Sequence, residues 1–296
     1  MSAQRTEQRQ EAGRQLRERV LAGLTVVDRR VNAAGIPTTA QIRDAWEAIA
    51  PNFDRHATAV TMRFAEQVLD HADLPHGIRL LDVGSGSGAV AIAAARRGIN
   101  VLAVDLAPAM IERLTARARA EELTNLQGRV MDGCALELAD DGFDVAASLN
   151  GVSLFPDLQQ GLREIARVTK PGGRVVIAAF GALDRAEFLT VFMGAMKTAV
   201  TGFTPPPMDP PPLPFQLADP QKMQRELTGA GLQNVIVKTV TWRMEFESTA
   251  RFWDMIRSSN PIAVQLPGAS PPRRPTMFAR CWTACLQSAG TAPGRC

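Results

Sequence analysis

The sequence predicts an α/β protein built on a doubly wound, mostly parallel sheet. Three observations carry this. Strand and helix patterns alternate without a break from about 41 to 180. The run 101–105, VLAVD, is apolar up to its last residue, as strands covered on both faces are. Residues 79–88, RLLDVGSGSG, lead from an apolar strand through a glycine turn into the alanine-rich run AVAIAAARRG. Alternation of this kind specifies parallel strands joined by right-handed crossovers. Ligand then gathers at the carboxyl ends of the strands.

The glycine turn sets the first functional expectation. Gly84, Gly86 and Gly88 let the backbone reach positive φ and let a ligand approach closely. The free N–H groups of the following helix point into the turn. Gly84, Gly86 and Ala89 also satisfy the dinucleotide pattern G-x-G-x-x-G/A. Asp82 argues the other way, because a carboxylate beside a pyrophosphate is repulsive and one beside a cation is not. S-adenosylmethionine (SAM) carries a sulfonium and an ammonium. The stretch resembles the first motif of the class I SAM-dependent methyltransferases. That resemblance implies a Rossmann-like sheet, SAM as cofactor, and Asp82, Gly84, Ser85, Gly86 and Gly88 around its amino-acid end.

Composition narrows the classes. The chain has 296 residues, 46% of them hydrophobic, enough for one large domain with a real core. Its 33 basic and 30 acidic residues leave a net charge of +3, and it has no Tyr. Neither a polyanion-binding surface nor a base-stacking platform is expected, so nucleic acid is not an expected partner. No apolar run of about 18 residues predicts a membrane span. The polar opening MSAQRTEQRQEAGRQLRERV lacks the apolar core of a secretory signal, and four Cys do not make a disulfide framework. The simplest compartment is the cytoplasm.

Residues 1–40 read as an appendage, helical or disordered. Leu16, Val20, Leu21 and Leu24 give only a weak stripe. Residues 25–36 faintly resemble the opening strand of α/β-hydrolases, but no G-x-S-x-G elbow follows. The main domain is expected over 41–264. A helix over 41–50 should end at Pro51, and a second should run over 58–72 with Val60, Phe64, Val68 and Leu69 on one side. In the resembled family two such helices fold over the cofactor, and the loop between them carries an aromatic–acid pair. Phe53 and Asp54 match that pair, which implies that Phe53 lines the cofactor. As a staple between two helices, Phe53 reads equally well. His56 follows in the same lid and is the one histidine offered as a catalytic base.

Asp105 ends the second strand, where a carboxylate suits the two ribose hydroxyls; it also suits a helix N-cap. Leu106 is placed to lie on the adenine, and Met110 is counted with the cofactor residues. A short strand should end at Asp132. The resemblance implies that Asp132 accepts from the adenine amino group and that Gly133 offers its N–H to a ring nitrogen. FDVAASL, 143–149, is a strand with Asn150-Gly151 as its exit. The resemblance places Asn150 beside the methionine part of SAM; an Asn-Gly turn residue explains it as well. REIARVTKPGGRVVI, 163–177, resembles the segment between the fourth and fifth strands of ubiquinone/menaquinone C-methyltransferase-like enzymes. A buried strand is expected over 174–180.

The later half is read as the acceptor side. A helix within 184–203 and the proline run PPPMDPPPLPF form a lid insert over about 181–219. Residues 233–247 alternate as one long strand, and 247–259 read as a final helix. The tail 265–296 is irregular, and the last antiparallel strand of the family fold is not legible in it. Cys281 and Cys285 lack His or acid partners at ligand spacing, so no metal site is expected. The expected activity is methyl transfer from SAM to an O, N or C atom of a small, hydrophobic molecule, by a monomer or homodimer. The alternatives are a SAM-binding chain without catalysis, and a nucleic-acid or protein methyltransferase. Near-neutral charge and LNGVSLFPD at the fourth strand's exit, in place of an N/D-P-P-Y motif, weigh against the last.

Overall fold

The computed structural model describes residues 37–199 and 209–248, together with 251, 252 and 254–256. The expected features of 1–36, of the middle of the proline run and of the tail 265–296 lie outside these residues.

Two helices come first, α1 (Thr39–His56) and α2 (Thr58–Ala72). Then strand and helix alternate: β1 (Arg79–Val83), α3 (Ala89–Arg96), β2 (Asn100–Asp105), α4 (Pro108–Ala120), β3 (Leu126–Val130), β4 (Phe143–Leu149), α5 (Leu158–Val168) and β5 (Thr169–Ala178). Helices α6 (Glu187–Ala199) and α7 (Pro220–Gly229) follow. The five strands form one parallel sheet in the order β3-β2-β1-β4-β5. Strand β1 lies between β2 and β4, with Asp82 level with Ala103 on one side and Ala147 on the other. The chain reverses its direction of travel there, so the crevice between the ends of β1 and β4 is the topological switch point.

Side chains alternate across the strands and so build two cores. Leu80, Ala103, Val145 and Ala147 pack on one face with Ala65, Leu69, Ala91 and Ala94 of α2 and α3. Leu81, Val83, Val104 and Ala146 pack on the other with Leu162 and Ile165 of α5 and Leu227 of α7. Small side chains let α3 sit close to the sheet. Ala91 and Ala94 are completely buried.

Four sequence expectations need correction. Helix α1 does not end at Pro51 but runs through it to His56. A proline costs a helix one hydrogen bond, and Pro51 is exposed. Trp46, Ala50 and Phe53, which pack with Ala107 and Met110, hold the helix on either side of it. Strand β3 ends at Val130, two residues before Asp132. Strand β5 is not buried; it is a half-exposed edge strand that begins at Thr169. Residues 233–247 are not a strand at all. Alternation supplies the side-chain pattern of a strand, but a ladder partner must supply its hydrogen bonds, and these residues have none among the described residues. They lie instead with Trp242 stacked on Phe64 of α2, ring centroids 5.4 Å apart, and with Ile236 79% exposed. No antiparallel strand occurs among the described residues.

Candidate functional site at the carboxyl edge of the sheet

The turn after β1 is built from backbone. Gly84 has φ +68°, Gly86 +54° and Gly88 +100°, values that suit glycine and disfavour other residues. Gly84 is fixed a second way, since a Cβ on it would lie 2.8 Å from Cα of Gly151 at the exit of β4. The two strand exits therefore touch backbone to backbone. Ser148 fastens them: its Oγ donates to the Val83 carbonyl at 2.7 Å and accepts from the Val152 N–H at 2.9 Å. On the helix side, the hydroxyls of Thr58 and Ser87 share a buried hydrogen bond, tying the start of α2 to the turn.

Carboxylates surround this turn. Asp82 is 1% exposed. Its Oδ2 accepts from the Ala91 N–H in the first turn of α3 at 3.0 Å, while its Oδ1 is buried without a partner. Burial pushes its pKa up to about 7, the Ala91 N–H pulls it down, and the charge of Asp105 adds to the rise. Asp105 is half-buried at the end of β2. Its Oδ2 accepts from Gly86 N–H at 2.8 Å and its Oδ1 from Ala107 N–H at 2.9 Å. Burial pushes this carboxyl upward as well, against the backbone N–H groups of Ala107, Gly86 and Leu106; Glu47 adds to the rise. Glu47 of α1 accepts from the Ala109 N–H at the start of α4 at 2.9 Å. No Lys, Arg or His pairs with Asp82, Asp105 or Glu47 among the described residues.

Phe53 covers the turn, its ring 3.9 Å from the position a Cβ on Gly86 would take. Trp46 meets that ring edge-on, with centroids 5.4 Å apart. Asp54 does not face the turn; it pairs with Arg117 of α4 at 2.5 Å. Across the crevice Asn150 has φ +57°, donates its backbone N–H to the Ala178 carbonyl at 2.7 Å, and leaves Oδ1 buried without a partner. It is thus the turn residue that Asn-Gly suggests, with its side-chain oxygen still free.

The remaining expected residues fall into two groups. Leu106 is half-buried beside Asp105, and Asp132 turns its Oδ1 back to the Cys134 N–H at 2.8 Å. Met110 is 1% exposed and packed with Ala50 and Ala107, inside the wall of the site. Gly133 is small for a reason the sequence did not suggest: the Phe155 ring lies between Gly133 and Gly161, and a Cβ on either would collide with it. Burial lifts the Cys134 thiol to about 11, so it stays protonated at neutral pH and packs. His56 is half-buried in the last turn of α1, and its ring makes no hydrogen bond or ion pair with the described residues.

Sequence reasoning missed Thr58, Ser87, Ser148, Gly151, Glu47 and Phe155. The signal for Ser148 was there, a lone hydroxyl inside the apolar strand FDVAASL. Glu47 and Thr58 carry no signal, because only packing brings α1 and α2 to the turn.

A doubly wound sheet, a glycine cradle at its switch point and unpaired carboxylates around it define a site for a cationic nucleoside-type ligand. SAM fits on the donor set: the unpartnered Asp82 Oδ1 lacks a cation and the Asn150 amide oxygen lacks a donor, and SAM brings two cations. A methyltransferase domain model matches residues 81–177, from β1 to β5. A malonyl-[acyl-carrier protein] O-methyltransferase of Halorhodospira halophila is 30% identical over 217 residues, 65% of this chain and 71% of that protein. An uncharacterised protein of Mycobacterium tuberculosis is 39% identical over 109 residues, 37% of this chain and 39% of its own length. The crystal structure of the [4+2]-cyclase SpnF superimposes with a TM-score of 0.52 at 19% identity, over 86% of this chain and 93% of that one. The chain belongs to the class I SAM-dependent methyltransferases, and SAM is the cofactor.

Proposed function

We propose that the chain transfers a methyl group from SAM to an O, N or C atom of a small, apolar molecule. The observation that carries the reading is the crevice between β1 and β4, with its glycine turn and the unpartnered oxygens of Asp82 and Asn150. The bound cofactor supplies an electrophilic methyl on a sulfonium leaving group. The protein's part is to hold, orient and desolvate. Gly84, Ser85, Gly86, Gly88 and Asp82 take the amino-acid end. Asp105 accepts from the ribose hydroxyls; each of its oxygens already accepts one N–H and has a further lone pair to offer. Leu106 covers the adenine, whose edge Asp132 and Gly133 read. Asn150 stands between the methionine part and the acceptor, and Phe53 closes the top.

The acceptor side supports an apolar molecule. Ala57, Phe192, Phe252, Met255 and Ile256 form a buried cluster that Phe53, Phe188 and Phe246 join. Phe53 belongs both to this cluster and to the one containing Met110, so one ring separates the two halves of the site. His56 is the base for an acceptor that must lose a proton. We place the protein in the cytoplasm as a monomer or homodimer.

Calorimetry with SAM and with NAD tests the cofactor. Binding of NAD without SAM would overturn the reading. A methyl-transfer assay over quinols, phenols and amines tests the chemistry. A SAM-binding chain without catalysis is the second reading, favoured by the lack of a hydrogen-bonded partner for the His56 ring among the described residues; cofactor binding without transfer to any acceptor would establish it.

A further inference from the structure

The cofactor cradle holds carboxylates that no cation among the described residues balances. Asp82 lies at its centre, on the face of β1 that α3 covers. Strands β2 and β4 flank it and the first turn of α3 donates to it; α1 and α2 add the other polar groups of the turn. From β2 comes Asp105, a like charge. From α1 comes Glu47, which adds its charge through Asp105. From α3 come backbone N–H groups, of which Ala91 reaches Asp82. From β4 comes the hydroxyl of Ser148, used on backbone groups, and from α2 that of Thr58, used on Ser87. Among the described residues neither Asp82 oxygen receives a cation or a side-chain donor, and Oδ1 receives nothing. A carboxylate that is dry, beside another carboxylate and bonded by a single N–H favours its neutral form.

We propose that Asp82 exchanges its proton for the cofactor: it is protonated in the empty protein and ionises as the ammonium of the cofactor's amino-acid end arrives. The inference rests on the reading that SAM binds at this turn. The balance is simple. The O–H bond of Asp82 breaks, its proton passes to buffer, and the entering cation replaces it as the countercharge. The raised pKa of Asp82, about 7, puts the exchange near neutral pH. The residue thereby selects for an intact amino-acid end, because a ligand without an ammonium has nothing to offer in place of the proton.

Calorimetry of the full chain in phosphate and in Tris, buffers of low and high ionisation enthalpy, tests this. With SAM, about half a proton should leave per site near pH 7 and more near pH 6, and Kd should fall about fivefold from pH 6 to pH 7, below the range where the cofactor's own ammonium titrates. S-adenosylhomocysteine, which keeps the ammonium, should release the same fraction. 5′-Methylthioadenosine, which lacks the amino-acid end, should release none; this arm needs no variant. Asp82→Asn should still bind SAM, more weakly, with the buffer dependence abolished. SAM binding with the same heat in both buffers would overturn the inference while leaving the function reading intact, as would an Asp82→Asn variant with unchanged proton release. No SAM binding at all would defeat the function reading, and this one with it.

Discussion

The turn between β1 and α3 and the segment 233–247 show opposite ways of using an apolar pattern. Around the turn, nearly every residue is held from two directions. Gly84 is set by its own φ and by Gly151, Asp105 by two N–H groups, and Ser148 by a donor and an acceptor on different strands. In 233–247 the alternation is as regular as in any strand, yet Ile236 and Val240 are 79% and 48% exposed. Pattern makes a surface, and only a partner makes it a strand. A site that must hold a ligand to fractions of an ångström sits in the first kind of region and not in the second.

This contrast can be broken at its strong end first. Gly84→Val should cost about 3–4 kcal/mol and remove SAM binding, because it adds both backbone strain and a clash with Gly151. Chemical denaturation and calorimetry would read this, and a variant of native stability would show that the two exits are not in contact. Next comes Asp82, where the sign follows from its raised pKa. The folded state holds the proton at a higher pH than the unfolded chain. The group's contribution to stability is therefore greatest at low pH and declines as pH rises towards about 7. For the empty protein, Asp82→Asn should remove a decline of about 4 kcal/mol between pH 4 and pH 7, seen as convergence of the two denaturation profiles at low pH.

Smaller effects sharpen the same comparison. Phe53→Ala should weaken SAM binding about tenfold and cost about 1–2 kcal/mol, through loss of the ring over Gly86 and its edge contact with Trp46. Asp54→Asn should cost about 0.5–1 kcal/mol without touching cofactor affinity, since Asp54 pairs with a partly exposed Arg117. Ile236→Thr should change stability by less than about 0.5 kcal/mol, as expected for an exposed side chain in a segment without a strand ladder among the described residues. A larger loss there would mean that the segment finds a partner in solution.

What was legible in the sequence follows the same divide. The order of strands and helices from β1 to β5 was readable because each element announces itself within a few residues. RLLDV, VLAVD and FDVAASL are short apolar runs, and turns or helical repeats punctuate them. Asp82, Asp105 and Asn150 could be proposed as site residues because they sit at or beside strand ends, a position that sequence gives directly. Pro51 misled because its local preference was weighed without the packing of Trp46 and Phe53 on either side of it. Gly133 and Phe155 lie 22 positions apart, and nothing local says that one exists to receive the other.

The sequence alone determined the fold class, the glycine turn and the acids that surround it, because periodicity and turn chemistry act over a handful of neighbouring residues. Tertiary structure alone decided which of those acids is dry, which hydroxyls lock the exits of β1 and β4 together, and that 233–247 would have no ladder among the described residues. Burial and pairing join residues that are distant in the chain, and for Asp82 it is burial, more than its neighbours in sequence, that sets its charge.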